Sequence, residues 1–203
     1  MLKARFIQHF FRVMSILSAM GLALPAMAVD EPVKASKELI ATINGEFKGA
    51  DATNNSRKSL ERFFNYDVLV SEPIRPHLAS LSKKQAETYQ KVFRDLLALG
   101  SQVGTGGLLS GMEISWKPPR VEEKKADVKL VAIDPKQDME TTVVFHWLKH
   151  KGDWRIIDVS FDGASLVKDY QNQFGRIIRK EGGDGLIKRI TARLDKEKAK
   201  RLI

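Results

Sequence analysis

The chain has no cysteine at all. That excludes disulfides, thiolate zinc sites, thiol catalysis and a lipid-modified N-terminal cysteine together. Histidine is scarce too. His77, His146 and His150 lie beyond the N-terminal segment, and none has a partner at metal-ligand spacing, so no metal is expected. Gly-x-Ser-x-Gly and Ser-x-x-Lys motifs are missing. The run Gly100-Ser101-Gln102-Val103-Gly104-Thr105-Gly106-Gly107 lacks a Gly-Lys-Ser/Thr and a preceding strand, so it reads as a connector, not a phosphate loop. Aromatic and basic residues are not interleaved, and nucleic acid is not an expected partner. No apolar run of membrane length follows the first 28 residues.

Those first residues have an export pattern. Lys3, Arg5 and Arg12 precede an apolar run from Val13 to Leu24, then Pro25 and the small-x-small sequence Ala26-Met27-Ala28. The uncharged run is about 17 residues, short of the roughly 20 that span a bilayer. The pattern predicts a signal peptide over residues 1–28, cleaved after Ala28, and a periplasmic protein. Residues 29–203 are expected to form one domain that holds together by packing alone.

Charge is unevenly placed. Residues 29–175 hold 21 basic and 21 acidic residues, whereas residues 176–203 hold 10 basic and 4 acidic. All the net charge beyond the leader therefore lies in the C-terminal tail. It is either a solvated helix face or a surface for an anionic partner.

Helical periodicity runs from Val33 to Lys48, with Leu39, Ile40, Ile43 and Phe47 on one stripe. A short helix is expected over Ser56–Phe64, and another after Asn65-Tyr66-Asp67, with Asp67 as its cap. Pro73 and Pro76 keep the segment after that helix broken. Ser82-Lys83-Lys84-Gln85 is a capping box opening a helix to about Leu99, with Tyr89, Phe93 and Leu97 on its apolar side. From Met112 the period becomes two. Strands are expected at Met112–Lys117, Lys125–Ile133, Met139–Lys149 and Trp154–Phe161, joined by short turns into an antiparallel meander. Asp162-Gly163 turns into a helical run, and Gly182-Gly183 breaks it before a basic amphipathic helix. The layout predicts an α+β fold, with the sheet at 112–161 and helical parts at 29–111 and 162–203.

Asp158, flanked by Ile157 and Val159, is the one candidate general base, with Tyr89 or Tyr170 near it. The plainer reading is a carboxylate bonded to turn amides or facing solvent. The apolar residues are more telling. Val143, Phe145 and Trp147 share one strand face, as do Val128 and Leu130 on the strand before. Ile157, Val159 and Phe161 are assigned to one face of the next strand. Leu166, Val167, Tyr170 and Phe174 can fold back over them. Either a filled core or a hollow one fits this pattern.

Trp154-Arg155-Ile156-Ile157-Asp158-Val159, then Gly163-Ala164-Ser165-Leu166-Val167, then Tyr170, Gln173 and Phe174, resembles the tail motif of MlaC-like proteins. These are periplasmic phospholipid-binding components of the lipid-asymmetry (toluene tolerance) ABC transport system. Gly183-Asp184-Gly185-Leu186-Ile187, Phe64-Asn65-Tyr66-Asp67 and Leu81-Ser82-Lys83-Lys84-Gln85 fit the same family. Gln171, Asn65 and the Gly-rich 100–111 stretch depart from it. The resemblance implies a nuclear-transport-factor-like cone, a curved four-stranded antiparallel sheet closed by N- and C-terminal helices around a hydrophobic pocket. It implies a monomeric, non-enzymatic shuttle carrying phospholipid between an outer-membrane lipoprotein/porin complex and an inner-membrane ABC transporter complex. The lipid-binding residues are then expected to be Phe93, Leu97, Val128, Leu130, Val143, Phe145, Trp147, Ile157, Val159, Phe161, Val167, Tyr170 and Phe174. Lys188, Arg189 and Arg193 on the last helix are the candidate docking residues. The alternatives are a carrier for another lipid, such as a hopanoid precursor, and an enzyme on the same fold using Asp158.

Overall fold

The computed structural model describes residues 26–46, 59–103, 109, 111–136 and 139–199. The expected leader lies almost wholly outside them, as do residues 56–58 of the expected helix over Ser56–Phe64 and residues 104–107 of the Gly-rich connector. Residues 59–61 are helical, and residues 100–103, expected in the connector, continue the helix before it. Helix α1 (Ala26–Glu46) is followed by α2 (Tyr66–Ile74), a 3-10 helix (Arg75–Ser80) and α3 (Lys83–Val103). Six strands come next: β1 (Glu113–Trp116), β2 (Arg120–Val121), β3 (Lys125–Asp134), β4 (Met139–His150), β5 (Asp153–Phe161) and β6 (Ala164–Ser165). The long α4 (Leu166–Ala199) ends the described chain.

The sheet is antiparallel in the order β1-β3-β4-β5-β6, with β2 also paired to β3. The α+β class holds, but the sheet has six strands where four were expected. The two extra strands are short and have local causes. Pro118 and Pro119 have no N–H to give, so the first strand leaves the ladder and rejoins it as β2. Asp162 and Gly163 both take positive φ (48° and 83°), the two-residue turn that folds Ala164-Ser165 back on Phe161-Ser160 as β6. Lys151 and Gly152 (51° and 94°) make the equivalent turn between β4 and β5.

Helix ends are set by side-chain chemistry. Ser82 and Gln85 form the reciprocal capping box expected, with Gln85 N donating to Ser82 Oγ (3.2 Å) and Ser82 N to Gln85 Oε1 (2.9 Å). The cap of α2 is Asn65, whose Oδ1 accepts from Val68 N at 3.2 Å. Asp67, expected in that role, lies inside the first turn and pairs with Arg94 at 2.8 Å. The expected break in the C-terminal helix is a kink at Gly182 (φ 70°, ψ −174°), a conformation costly to any residue with a Cβ. Beside it, the bare backbone of Gly183 packs against Leu81 and Gln85.

Two apolar cores result. One fills the space between a sheet face and α1. The other lies among α2, α3 and α4, around Tyr89, Phe93, Phe174, Leu186 and Ile190.

Candidate functional site

Alternation on β3 and β4 places Ala126, Val128, Leu130 and Ala132 beside Trp147, Phe145, Val143 and Thr141 on one face, the smallest residue opposite the largest. All but Thr141 are buried. β5 joins them through a register shift. Phe145 pairs with Val159 and His146 with Asp158, but Trp147 pairs with Ile156. Ile157 is thus an extra residue with no β4 partner. This corrects the expected face of β5: Ile156 is fully buried with Trp154, Val159 and Phe161 pack against the same core, and Ile157 is half-buried outside it. A bulge reverses parity, so strict alternation misplaced one residue. It also frees Ile156 to bond another segment, with Ile156 N donating to Phe63 O (2.7 Å) and Asn65 N to Ile156 O (2.8 Å).

Helix α1 roofs this apolar face with Leu39, Ile40 and Ile43. Two indoles anchor it. Trp147 Nε1 donates to the fully buried Ser36 Oγ at 3.1 Å, and Ser36 Oγ in turn donates to Pro32 O at 2.8 Å. Trp154 Nε1 donates to Glu31 Oε2 at 3.0 Å. Sequence reasoning missed both bonds, because a lone Ser in a helix and a Trp on a strand leave no spacing signal across 111 residues.

Seven of the expected lipid-binding residues gather on this face: Val128, Leu130, Val143, Phe145, Trp147, Val159 and Phe161. Phe93 and Phe174 instead centre the helical core, with Leu97 and Tyr170 packed against it. Tyr89, Phe93, Tyr170 and Phe174 pack ring to ring there, with centroids 5.0–5.6 Å apart. Tyr89 donates its hydroxyl to Val70 O at 3.0 Å, and burial pushes its pKa far above the tyrosine norm. Burial raises Tyr170 as well, against the opposing charge of Arg193. Val167 is half-buried at the start of α4. The expected residues therefore occupy two cores, not one.

Asp158 has a structural task. Its Oδ1 accepts from Val159 N (2.8 Å) and Val167 N (3.1 Å), and Ser165 Oγ donates to Oδ2. Ser165 Oγ itself accepts from Lys168 N at 3.1 Å. Asp158 and Ser165 together satisfy the first turn of α4, which is the plainer reading of that carboxylate. On the same side of the sheet, His146 bonds Asp127 Oδ1 through Nδ1 and Ser160 Oγ through Nε2, each at 2.8 Å. This matches the order of a nucleophile relay. Yet Ser160 is buried in mid-sheet with strands paired on both sides, an arrangement that braces the sheet. No sequence spacing marks His146 as partnered, since Asp127 and Ser160 reach it from the two neighbouring strands. Among the described residues no cluster could hold a metal ion, and no helix is long and apolar enough to cross a membrane.

Of the candidate docking residues, Arg189 is bound to Glu181 through both Nε (2.9 and 3.1 Å) and Nη2 (2.6 Å), holding that carboxylate below its ordinary pKa. Arg193 pairs with Glu197 at 2.9 Å. Lys188 is exposed.

The family model described as "MlaC protein" matches residues 34–192. The chain belongs to the MlaC family. The match begins inside α1 and ends inside α4, so it spans all six strands. Among solved structures, the MlaC-family chain is similar to a phospholipid-binding protein from Ralstonia solanacearum, determined in complex with a phospholipid. Identity is 18%, the TM-score is 0.63, and the match covers 84% of this chain and 98% of the other. At that identity the likeness establishes the shared fold.

Proposed function

We propose that this MlaC-family protein is a non-enzymatic phospholipid carrier whose acyl chains lie against the apolar sheet face, beneath α1. The observation that carries the reading is that continuous face: Val128, Leu130, Val143, Phe145, Trp147, Ile156, Val159 and Phe161, roofed by one helix. Family membership and the phospholipid bound to the Ralstonia protein support it. Ile156 takes the place first assigned to Ile157. Leu97 and Tyr170 pack against the helical core that Phe93 and Phe174 centre, and Val167 lies in the first turn of α4, so these five are left out of the cargo face.

Magnitudes set the terms on which the roof yields to lipid. Two chains carry about 30 methylenes at about 0.8 kcal/mol each, so roughly 24 kcal/mol opposes exposing them to water. The roof residues Leu39, Ile40 and Ile43 contribute about 1.5–3 kcal/mol apiece, or about 5–9 kcal/mol together. Loading from a donor that already buries the chains leaves that roughly 24 kcal/mol nearly unchanged, so α1 can yield only if the chains cover the sheet face and the roof residues that it uncovers. The same 24 kcal/mol forbids release into water, so delivery is by docking to an acceptor that offers equal burial. In this reading the leader over residues 1–28 is removed on export, residues 29–203 act as one monomeric domain in the periplasm, and the acceptors are Mla-type complexes of the two membranes.

The test is to purify the exported protein, extract it with organic solvent and record a mass spectrum. Phospholipid at about one per chain is expected. A polycyclic lipid in its place would replace phospholipid as the cargo, and an empty protein would overturn the carrier reading.

A further inference from the structure

The basic tail pairs its charges unevenly. Beyond the Gly182 kink, Arg189 and Arg193 are neutralised by Glu181 and Glu197, while Lys188, Lys196 and Lys198 are exposed on a stretch that no cleft adjoins among the described residues. Before the kink, Arg176, Arg179 and Lys180 are exposed and have no ion pair among the described residues. Spaced i, i+3 and i+4, they share one side of α4.

A built cleft adjoins that side. The 3-10 helix lays His77 directly over Gly175, where a Cβ would stand 2.7 Å from the imidazole ring. Only a bare backbone admits the ring. His77 Nε2 donates to Gln171 O at 3.2 Å, fixing the ring's orientation. Gln171 Nε2 donates to Glu72 O at 2.9 Å, tying the end of α2 to α4. Pro76, His77, Gln171, Asn172, Gly175 and Arg179 line a cleft of about 180 Å³ with no carboxylate among them. That is well below the ~300–1,000 Å³ of a pocket for a whole drug-sized molecule. One residue from His77, Leu78 is 43% exposed, one of two large hydrophobic side chains so open among the described residues.

We infer that this surface is where the protein meets a membrane: the cleft takes the phosphate of an anionic lipid headgroup in the leaflet, through Arg179 and Asn172, while Leu78 enters the interface. Unpaired cations beside a solvent-facing leucine are the combination that binds anionic bilayers. An acidic protein surface would use the cations but leaves Leu78 and the small cleft without a purpose. The site is separate from the apolar sheet face and does not depend on which lipid is carried.

The experiment is flotation of the exported, full-length protein with vesicles of phosphatidylglycerol or of phosphatidylcholine. Binding is expected only to phosphatidylglycerol, and its loss is expected in about 0.5 M salt. Each basic side chain near an anionic surface is worth about fivefold in partitioning, so Arg179→Glu is expected to lose tenfold or more. Leu78→Ser is expected to weaken binding without changing the net charge. Gly175→Ala, which displaces His77, should weaken it as well. Lys136→Glu, on the β3–β4 turn, makes the same charge change far along the chain and should matter much less. Equal losses in Arg179→Glu and Lys136→Glu would overturn the site. So would wild-type binding by Arg179→Glu, or failure of the parent to float with phosphatidylglycerol. The last result, joined to impaired transfer by Arg179→Glu to a partner complex, would assign the surface to an acidic protein. Lipid content of each variant, read by mass spectrometry, tests the carrier reading separately and is expected to equal that of the parent.

Discussion

Replacing Trp147 with Phe tests whether α1 is held as a hinged roof or merely as packed core. The indole is 1% exposed, and its Nε1–H is spent on Ser36 Oγ, itself fully buried. Phe removes that donor but leaves Ser36 bonded to Pro32 O, so the hydroxyl keeps one partner. The lost bond is worth about 1 kcal/mol. The smaller ring leaves a void costing a further ~1–2 kcal/mol, for about 2–3 kcal/mol in all. Ser36→Ala acts from the other side and strands a buried indole N–H, at a cost of about 1–3 kcal/mol. If the two groups stabilise each other, the double variant is less destabilised than the sum of the singles by about 1 kcal/mol. Urea unfolding at constant m-value measures all three. The same ~1 kcal/mol, released from the closed roof alone, should speed lipid loading about fivefold. A coupling near zero would mean that apolar burial alone holds α1. An unchanged loading rate would mean that lipid does not enter beneath it.

Ile156→Ala should cost about 2–5 kcal/mol and Ile157→Ala under about 1.5 kcal/mol, a contrast that reports the bulge directly in denaturation midpoints. Asp158→Ala should lower stability by about 0.5–2 kcal/mol through the lost cap on α4 while leaving bound lipid unchanged by mass spectrometry. Gly183→Ala places a Cβ 2.6 Å from Leu81 and 2.7 Å from Gln85, which also bonds Asp184. It should cost about 1–3 kcal/mol and lower the thermal midpoint. Tyr89 and Tyr170 have folded pKa values raised above 10.0 by burial. Their contribution to stability is therefore fully present below pH 10 and is lost as pH rises above it toward the folded values, because the unfolded chain sheds those protons first. Ultraviolet titration should show Tyr89 ionising only with unfolding, and Tyr170 ionising at a pH above that of a free phenol.

The features legible in the sequence are the local ones. Strand faces on β3 and β4 could be read because an unbroken two-residue alternation needs no knowledge of the partner strand. The capping box and the Gly182 kink are likewise short-range. The β5 bulge could not be read, since the extra residue is defined only against β4. Nor could the neutralisation of Arg189 by Glu181, eight residues away across a kink, where helical spacing no longer holds. Asn65 and Asp67 are both suitable caps by residue type, and only the backbone at Asn65 decides between them. Grouping Phe93 and Phe174 with the sheet residues treated all large apolar side chains as one core. Helix packing keeps them apart, because α3 and α4 bury their aromatic faces against each other.

The bulged β5 also bears on how the protein avoids its own kind. A strand at the margin of a sheet offers a row of free amides and carbonyls to any passing chain. Here that row is divided: β6 takes Ser160 and Phe161, and the Phe63–Asn65 segment takes both backbone groups of Ile156. At the opposite margin β1 runs for four residues before Pro118 and Pro119 end its supply of donors. A protein with such an apolar interior is exposed to aggregation whenever its roof lifts. With neither margin offering a long ladder, a molecule opened as the carrier proposal requires would not recruit the strands of another copy.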